Sequence, residues 1–262
     1  MNFAHYKQEV LALTMRWIRR LSREKFSMLF TLVQPMLFWL IFFGSLFQQA
    51  AKMPLLENAP NYMSFLAGGV VVMTVLNNGL AGGVDLLFDK ENGFLERMMS
   101  TPIHRTSVIL SRYLFVMAIT AMQILVILGI AFLFGVEPVT KLPGIALILV
   151  IGMLFGIGLT AISMAMAFSV KSHGDFFSML GFLSLPMIFL SSALVPLSAM
   201  PGWMQVLAFF NPMTWVIDAV RPLIITGWEA AIPQVTLALI ILAIFDAICL
   251  YGGAKAFRRA IG

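Results

Sequence analysis

Cysteine is nearly absent from this chain of 262 residues: its one copy, Cys249, excludes a disulfide framework and a thiolate metal cluster. Charge is scarce as well. Asp, Glu, Lys and Arg make up 11% of the residues, whereas a soluble globular chain carries about a quarter. The three histidines, His5, His104 and His173, are dispersed and lack metal-ligand spacing. No GxxxxGK[ST] run occurs, so the chain has no P-loop with which to bind ATP. Nor does any nucleophile, base and orienter set stand out. Bound cofactors and metals are therefore not expected.

What is there is grease in long runs. Hydrophobic residues reach 60%, and no stretch is polar enough to build a soluble domain. The expected class is an all-α membrane protein with one domain of helices packed on helices. Six apolar runs, at about 27–49, 62–87, 107–135, 142–170, 175–196 and 232–254, each approach the ~20 residues a helix needs to cross hydrocarbon. The first, from Phe26 to Phe47, exceeds the roughly 7–15 residues of a signal-peptide core and is read as a retained anchor.

The net charge of +5 invites a nucleic-acid reading, but the basic residues sit at span ends, which is a topology signal. In the six-span arrangement, all of the 17 except Lys52, Lys141 and Arg221 fall on one side. That bias puts both termini in the cytoplasm and predicts a multi-pass protein of the plasma membrane, the inner membrane in a bacterium. Residues 1–26 form an amphipathic segment: Val10, Thr14, Trp17 and Leu21 recur at helical spacing, with Leu13 and Ile18 close by, opposite Arg16, Arg19, Arg20 and Arg23. A helix lying on the membrane surface and a simple basic flank for the first span both fit. A single six-helix transmembrane domain then covers 27–254, and 255–262 is a short basic tail.

Punctuation refines these limits. Gln34-Pro35 inside the first run predicts a bend. Pro138 and Pro143 bracket an outer turn, and His173-Gly174-Asp175 marks an inner one. Within the apolar runs, Asn77 and Asn78 lie beside Gly79, Gly82 and Gly83; they fit an interhelical hydrogen-bonding seam or a polar patch on a substrate route or dimer seam. Asp246 is the one acid well inside a run, read as a buried, hydrogen-bonded carboxyl. Gly156-Ile157-Gly158-Leu159-Thr160-Ala161 matches a dinucleotide pattern by letters, but it follows no strand and, with Gly152, reads as a helix-packing face.

Two segments between the runs are unusual. The first, 88–106, concentrates charge in Asp89-Lys90-Glu91-Asn92-Gly93-Phe94-Leu95-Glu96-Arg97 before Met98-Met99-Ser100-Thr101-Pro102. The second, 197–228, is broken by Pro201, Pro212 and Pro222 yet stays apolar through Trp203, Phe209, Phe210 and Trp215, predicting outer re-entrant or interfacial helices. Asp218 and Arg221, three apart, could pair on one helical face.

Together these segments resemble an ABC-2 type transporter permease, the membrane subunit of ATP-driven drug, polysaccharide and lipid exporters. Lys90 to Arg97 followed by Thr101-Pro102 is similar to the family's inner-loop pattern of basic-Glu-x-Gly-x-Leu-Glu and a later Pro. Leu194, Pro196, Pro201, Trp203 and Asn211-Pro212-Met213-Thr214-Trp215 with Asp218 and Arg221 resemble its outer signature, giving Pro201, Trp203, Asn211, Pro212, Thr214, Asp218 and Arg221 as a candidate outer gate. The resemblance implies a dimer of permease subunits with two separately encoded ATPase subunits that carry the ATP and Mg. It puts Glu91, Gly93 and Glu96 in or beside a coupling helix. The short Lys52–Asn61 loop departs from relatives with a large outer domain, which weakens the case for an accessory adaptor.

On this reading Asn92 caps the coupling helix, Gly93 permits a sharp entry, and Pro102 ends it. Phe94, Leu95 and Met98 would fill an apolar cleft on the ATPase, with Glu91, Glu96 and Arg97 as rim charges. Two other classes compete: a proton-driven secondary transporter using Asp246, and an intramembrane enzyme built from Asp246, Asp85 and the inner histidines.

Overall fold

The computed structural model describes residues 3–47, 62–101, 103–170 and 172–261. Among them every regular element is a helix, as expected where hydrocarbon offers the backbone no hydrogen-bonding alternative. Four helical stretches are long and apolar enough to cross a membrane: Tyr62–Glu91, Arg105–Leu133, Lys141–Ser169 and Trp228–Arg259. The first divides into α4 (Tyr62–Ala81) and α5 (Val84–Glu91); the others are α7 (Arg105–Leu133), α8 (Lys141–Ser169) and α12 (Trp228–Ile261). At 29 residues, α7 and α8 are each about 43 Å long, beyond the ~30 Å of a hydrocarbon core.

The other two predicted runs are less regular. From Lys25 to Phe47 the chain is helical throughout, as α2 (Lys25–Gln34), a π-helical stretch (Pro35–Phe43) and α3 (Gly44–Phe47). The register widens at Pro35, which has no N–H to give to the preceding turn. The remainder of that run and the Lys52–Asn61 loop lie outside the described residues. The fifth run holds α9 (His173–Phe189), whose 17 residues extend about 25 Å, and the chain then turns before residue 196. The expected inner turn at 173–175 is instead the first turn of α9, with Ser172 as its N-cap accepting from the Asp175 N–H at 3.2 Å.

The core forms around α4, where Leu66, Val70, Val71, Val75 and Leu76 are fully buried. Its partners are α7, α8, α9 and α11 (Pro212–Ile225). Close approach is possible because side chains are missing where helices meet: a Cβ on Gly83 would collide with the Ser163 carbonyl of α8. The 152–158 glycines likewise face neighbouring helices, Gly152 meeting Ile124 and Gly158 meeting Phe245 and Asp246. α12 is continuous to Ile261, so residues 255–261 of the expected basic tail extend that helix.

Opposite ends of the bundle differ in chemistry. One carries α1 (Phe3–Arg23), α5, α6 (Phe94–Met99) and most of the ion pairs; the other carries α10 (Gly202–Phe210) and α11. α1 turns Val10, Trp17 and Leu21 towards α7, where Trp17 packs on Phe115 and Val116. Ile18, grouped with that face in the sequence, is exposed with Leu11 and Met15 in a second apolar stripe.

Candidate functional site

The charged segment folds as an elbow. α5 stops at Asn92, Gly93 takes φ +65°, and α6 then runs for six residues. Positive φ is the reason glycine stands there. Asn92 therefore ends α5 and does not cap α6; Gly93 occupies the N-cap position, and no side chain caps the helix. α6 ends at Met99, and Pro102 lies outside the described residues.

A helix this short can bury only one face, and α6 buries it within its own chain. Leu95 and Met98 are 7% and 8% exposed, packed with Leu86, Val108, Met164 and Phe168. These two side chains are thus not available to fill a partner's cleft, contrary to the expectation from sequence. Phe94 remains at the surface, but the Arg16 guanidinium covers its ring at 4.1 Å. The outward edge consists of Glu91, Asn92, Glu96 and Arg97. Glu91 is also paired with the Nδ1 of His173 at the start of α9.

Beneath the elbow lies an ionic ladder that the sequence reading missed. Asp85 and Asp89 are four apart on α5, and Arg16 and Arg20 four apart on α1, so matching faces meet. Arg16 Nη2 donates to both oxygens of the buried Asp89 carboxylate at 3.0 Å. Arg20 reaches Asp85 at 3.7 Å, and Arg112 of α7 reaches the same carboxylate at 2.8 Å. Matched i,i+4 acids and arginines were the signal that could have revealed this contact. Lys90 adds a second anchor: its Nζ donates to the Ala167, Phe168 and Val170 carbonyls at 3.1–3.3 Å, capping the C-terminus of α8.

The start of α7 is held from α1. Glu9 accepts from the His104 backbone N–H at 3.2 Å and from Ser107 Oγ at 2.9 Å, and its carboxylate stands 3.0 Å from His104 Nδ1. A carboxylate suits these orphan N–H groups and the helix dipole. Partial burial would raise the Glu9 pKa, but the hydrogen bonds from Ser107 and His104 outweigh it and hold the carboxyl below its ordinary value.

Inside the bundle, Asn78 of α4 donates to Thr120 Oγ1 at 3.3 Å and to Gln123 Oε1, both on α7. Its neighbour Asn77 is exposed on the outer surface of the single chain. The two asparagines thus divide the readings left open by sequence, one forming an interhelical bond and the other an unburied polar group. Asp246 is buried against Gly158, and one of its oxygens has no hydrogen-bond partner. An enzyme made from Asp246, Asp85 and the histidines would need them to converge. Instead Asp85 faces Arg112, His104 faces Glu9, and His173 faces Glu91.

At the opposite end, α10 and α11 differ in depth. α10 leaves Trp203, Val206, Phe209 and Phe210 exposed after Pro201 at its N-cap, whereas α11 is sunk into the core with Met213, Val216, Ile217 and Val220 fully buried. Asn211 joins them. Its side chain accepts from the Met213 N–H at 3.0 Å, capping α11 ahead of Pro212, and donates to the Met187 and Leu190 carbonyls at 2.8 and 2.7 Å. Thr214 is buried beside it. Asp218 and Arg221 do not form the direct pair suggested by their spacing. Both hold Ser192: its Oγ donates to Asp218 at 2.9 Å, and its carbonyl accepts from Arg221 at 2.7 Å. The Arg221 guanidinium also stacks 3.6 Å from the Phe65 ring of α4.

Comparison with known proteins agrees with this layout. The family model described as ABC-2 type transporter matches residues 8–225, from α1 to the end of α11. The chain is 33% identical over 215 residues to a protein of Porphyra purpurea named as a transport permease, ycf38, covering 82% of this chain and 73% of the relative. A Cyanophora paradoxa protein of the same name is 34% identical over 219 residues, with the same coverage. A Mycobacterium tuberculosis protein named as a doxorubicin resistance ABC transporter permease, DrrC, is 25% identical over 223 residues, 81% of this chain and 75% of that one. This multi-pass membrane chain belongs to the ABC-2 type transporter family, whose members are the transport permeases of ABC transporters.

Proposed function

We propose that the chain is one permease half of an ABC exporter, acting as a dimer with an identical second subunit and driven by two copies of a separate ATPase. The observation that carries this reading is the two-faced α6. Its apolar face is locked onto α7 and α8 through Leu95 and Met98, while Glu91, Asn92, Glu96 and Arg97 point outward. Force applied to that edge would reach the spanning helices without an intervening flexible joint. The ATPase supplies the site for ATP and Mg, and this chain holds no cofactor.

The same reading uses six spans, with the Lys25–Phe47 helix and α9 as the first and fifth, and places both termini in the cytoplasm of a plasma membrane, the bacterial inner membrane. Segment 88–106 then couples on the cytoplasmic side, and 197–228 gates the outer side. Asn77, polar and exposed at mid-span, faces the dimer seam or the pathway. Reconstitution with the ATPase tests the drive. Transport should require ATP and Mg and continue when the proton gradient is collapsed; transport that persists without ATP and fails on Asp246→Asn would establish the proton-driven alternative.

A further inference from the structure

α5 grips the start of α9 as well as the end of α8. Leu87 is buried in an apolar cluster with Met166, Ala167 and Val170 on one side and Phe176 of α9 on the other. The Phe88 ring lies 4.4 Å from the His173 ring, centroid to centroid, and the Glu91 carboxylate pairs with His173 Nδ1. Lys90, between them in sequence, holds the carbonyls at the end of α8. The far end of α9 is also tied: Asn211 donates to the Met187 and Leu190 carbonyls at 2.8 and 2.7 Å. Between these anchors α9 extends for 17 residues, about 25 Å, and leaves Phe177, Phe182, Leu185 and Phe189 exposed in the single chain.

We propose that His173 is the positioning residue through which the elbow drives α9, and that α9 carries the motion to α10 and α11 at the opposite end of the bundle. This role presupposes the coupling function proposed for the elbow. A helix tied at both ends and uncovered along one side can shift by an ångström or two without opening a packed core, the scale of motion that helix shifts use. Leu87 against Phe176 transmits a push, but apolar contact is non-directional and permits sliding. The Glu91–His173 pair fixes the register. Its two side chains are 30% and 35% exposed, so the pair contributes little to stability, and its loss is read in motion before it is read in melting. Asn211 completes the path, because α10 ends at Phe210 immediately before it and α11 begins at Pro212 immediately after.

Spin-label distances in the reconstituted complex of permease dimer and ATPase test this role. On a Cys249→Ala background, nitroxide pairs across the dimer at Ser100→Cys, exposed at the end of α6, and at Val206→Cys, exposed on α10, report the two ends of the path. ATP and Mg trapped with vanadate should shift both distances when His173 is present. His173→Leu should leave the melting temperature, capture of the ATPase and the shift at 100 unchanged, while the population with a shifted distance at 206 falls by roughly fivefold or more. His173→Arg, which keeps a cation beside Glu91, should restore it. A full shift at 206 in His173→Leu, no recovery in His173→Arg, or a still 206 pair beside a moving 100 pair when His173 is present would each overturn the role of His173. A 100 pair that stays still when His173 is present would instead overturn the coupling function of the elbow, and this role with it.

Discussion

The Arg112 guanidinium of α7 lies 2.8 Å from the Asp85 carboxylate of α5, while its Nε donates to the Gly82 carbonyl at 2.6 Å. It is also stacked 4.8 Å from the Trp17 ring of α1. One side chain, 3% exposed, therefore joins the amphipathic helix, the break between α4 and α5, and α7.

Removing that cation strands its partners. Arg112→Ala leaves the Gly82 carbonyl without its donor and Asp85 with only the 3.7 Å contact to Arg20, and should destabilise the chain by about 3 kcal/mol, the lower end for a broken buried pair because Asp85 retains Arg20 and some contact with solvent. Thermal unfolding in detergent should show this loss. The double variant Arg112→Met with Asp85→Leu should recover most of it, because two apolar groups then replace the pair.

Asn211 gives a second stability test at the other end. Asn211→Ala removes the cap of α11 and the donor to two carbonyls at the C-terminal end of α9, so a loss of about 2 kcal/mol is expected. Asn211→Asp keeps the capping oxygen but sets a second acceptor oxygen against the Met187 and Leu190 carbonyls, and should melt no higher than the alanine variant.

The elbow depends on backbone conformation alone. Nothing lies within 4 Å of a Cβ built on Gly93, so a substitution there encounters positive φ and no clash. Gly93→Val should cost about 2 kcal/mol locally, and Gly93→Asn clearly less, because asparagine tolerates this region. Hydrogen exchange across α5 and α6 should order the variants as glycine, asparagine, valine in increasing opening.

Acid should release α1 from the start of α7. The Glu9 carboxyl has a folded-state pKa below its ordinary 4.5, so its contribution to stability is complete above that value and is lost as pH falls through the depressed one. Exchange protection of α1 should therefore fall on acidification below about pH 4.5, and Glu9→Gln should remove that step.

The sequence made some of these relationships legible and hid others. The all-helical class and the positions of α7, α8 and α12 followed from apolar run length, because hydrocarbon thickness leaves few alternatives. The orientation of Leu95 and Met98 did not follow. An apolar stripe on a short helix has the same pattern whether it faces a partner or its own core, and only Val108, Met164 and Phe168 from distant parts of the chain decide the matter. One consequence is that Leu95→Asp, a natural choice from sequence for breaking partner docking, would injure the core instead. Likewise α11 is apolar enough for either a membrane surface or an interior. Its burial is set by Asn211 reaching back to Met187 and Leu190, and by Ser192 held between Asp218 and Arg221. The Asp85, Asp89, Arg16 and Arg20 ladder was present as spacing but required the fold to bring the two faces together.

The central claim, that the outward edge of α6 receives the ATPase, is tested most directly by reversing that edge while leaving the anchored face intact. The variant Glu96→Arg with Arg97→Glu alters exposed side chains only, so membrane insertion and melting temperature should remain within experimental error of wild type. Its copurification with the ATPase, and ATP-dependent transport in proteoliposomes, should fall by at least roughly tenfold. Undiminished ATPase capture and full transport by the inserted, stable variant would contradict the account.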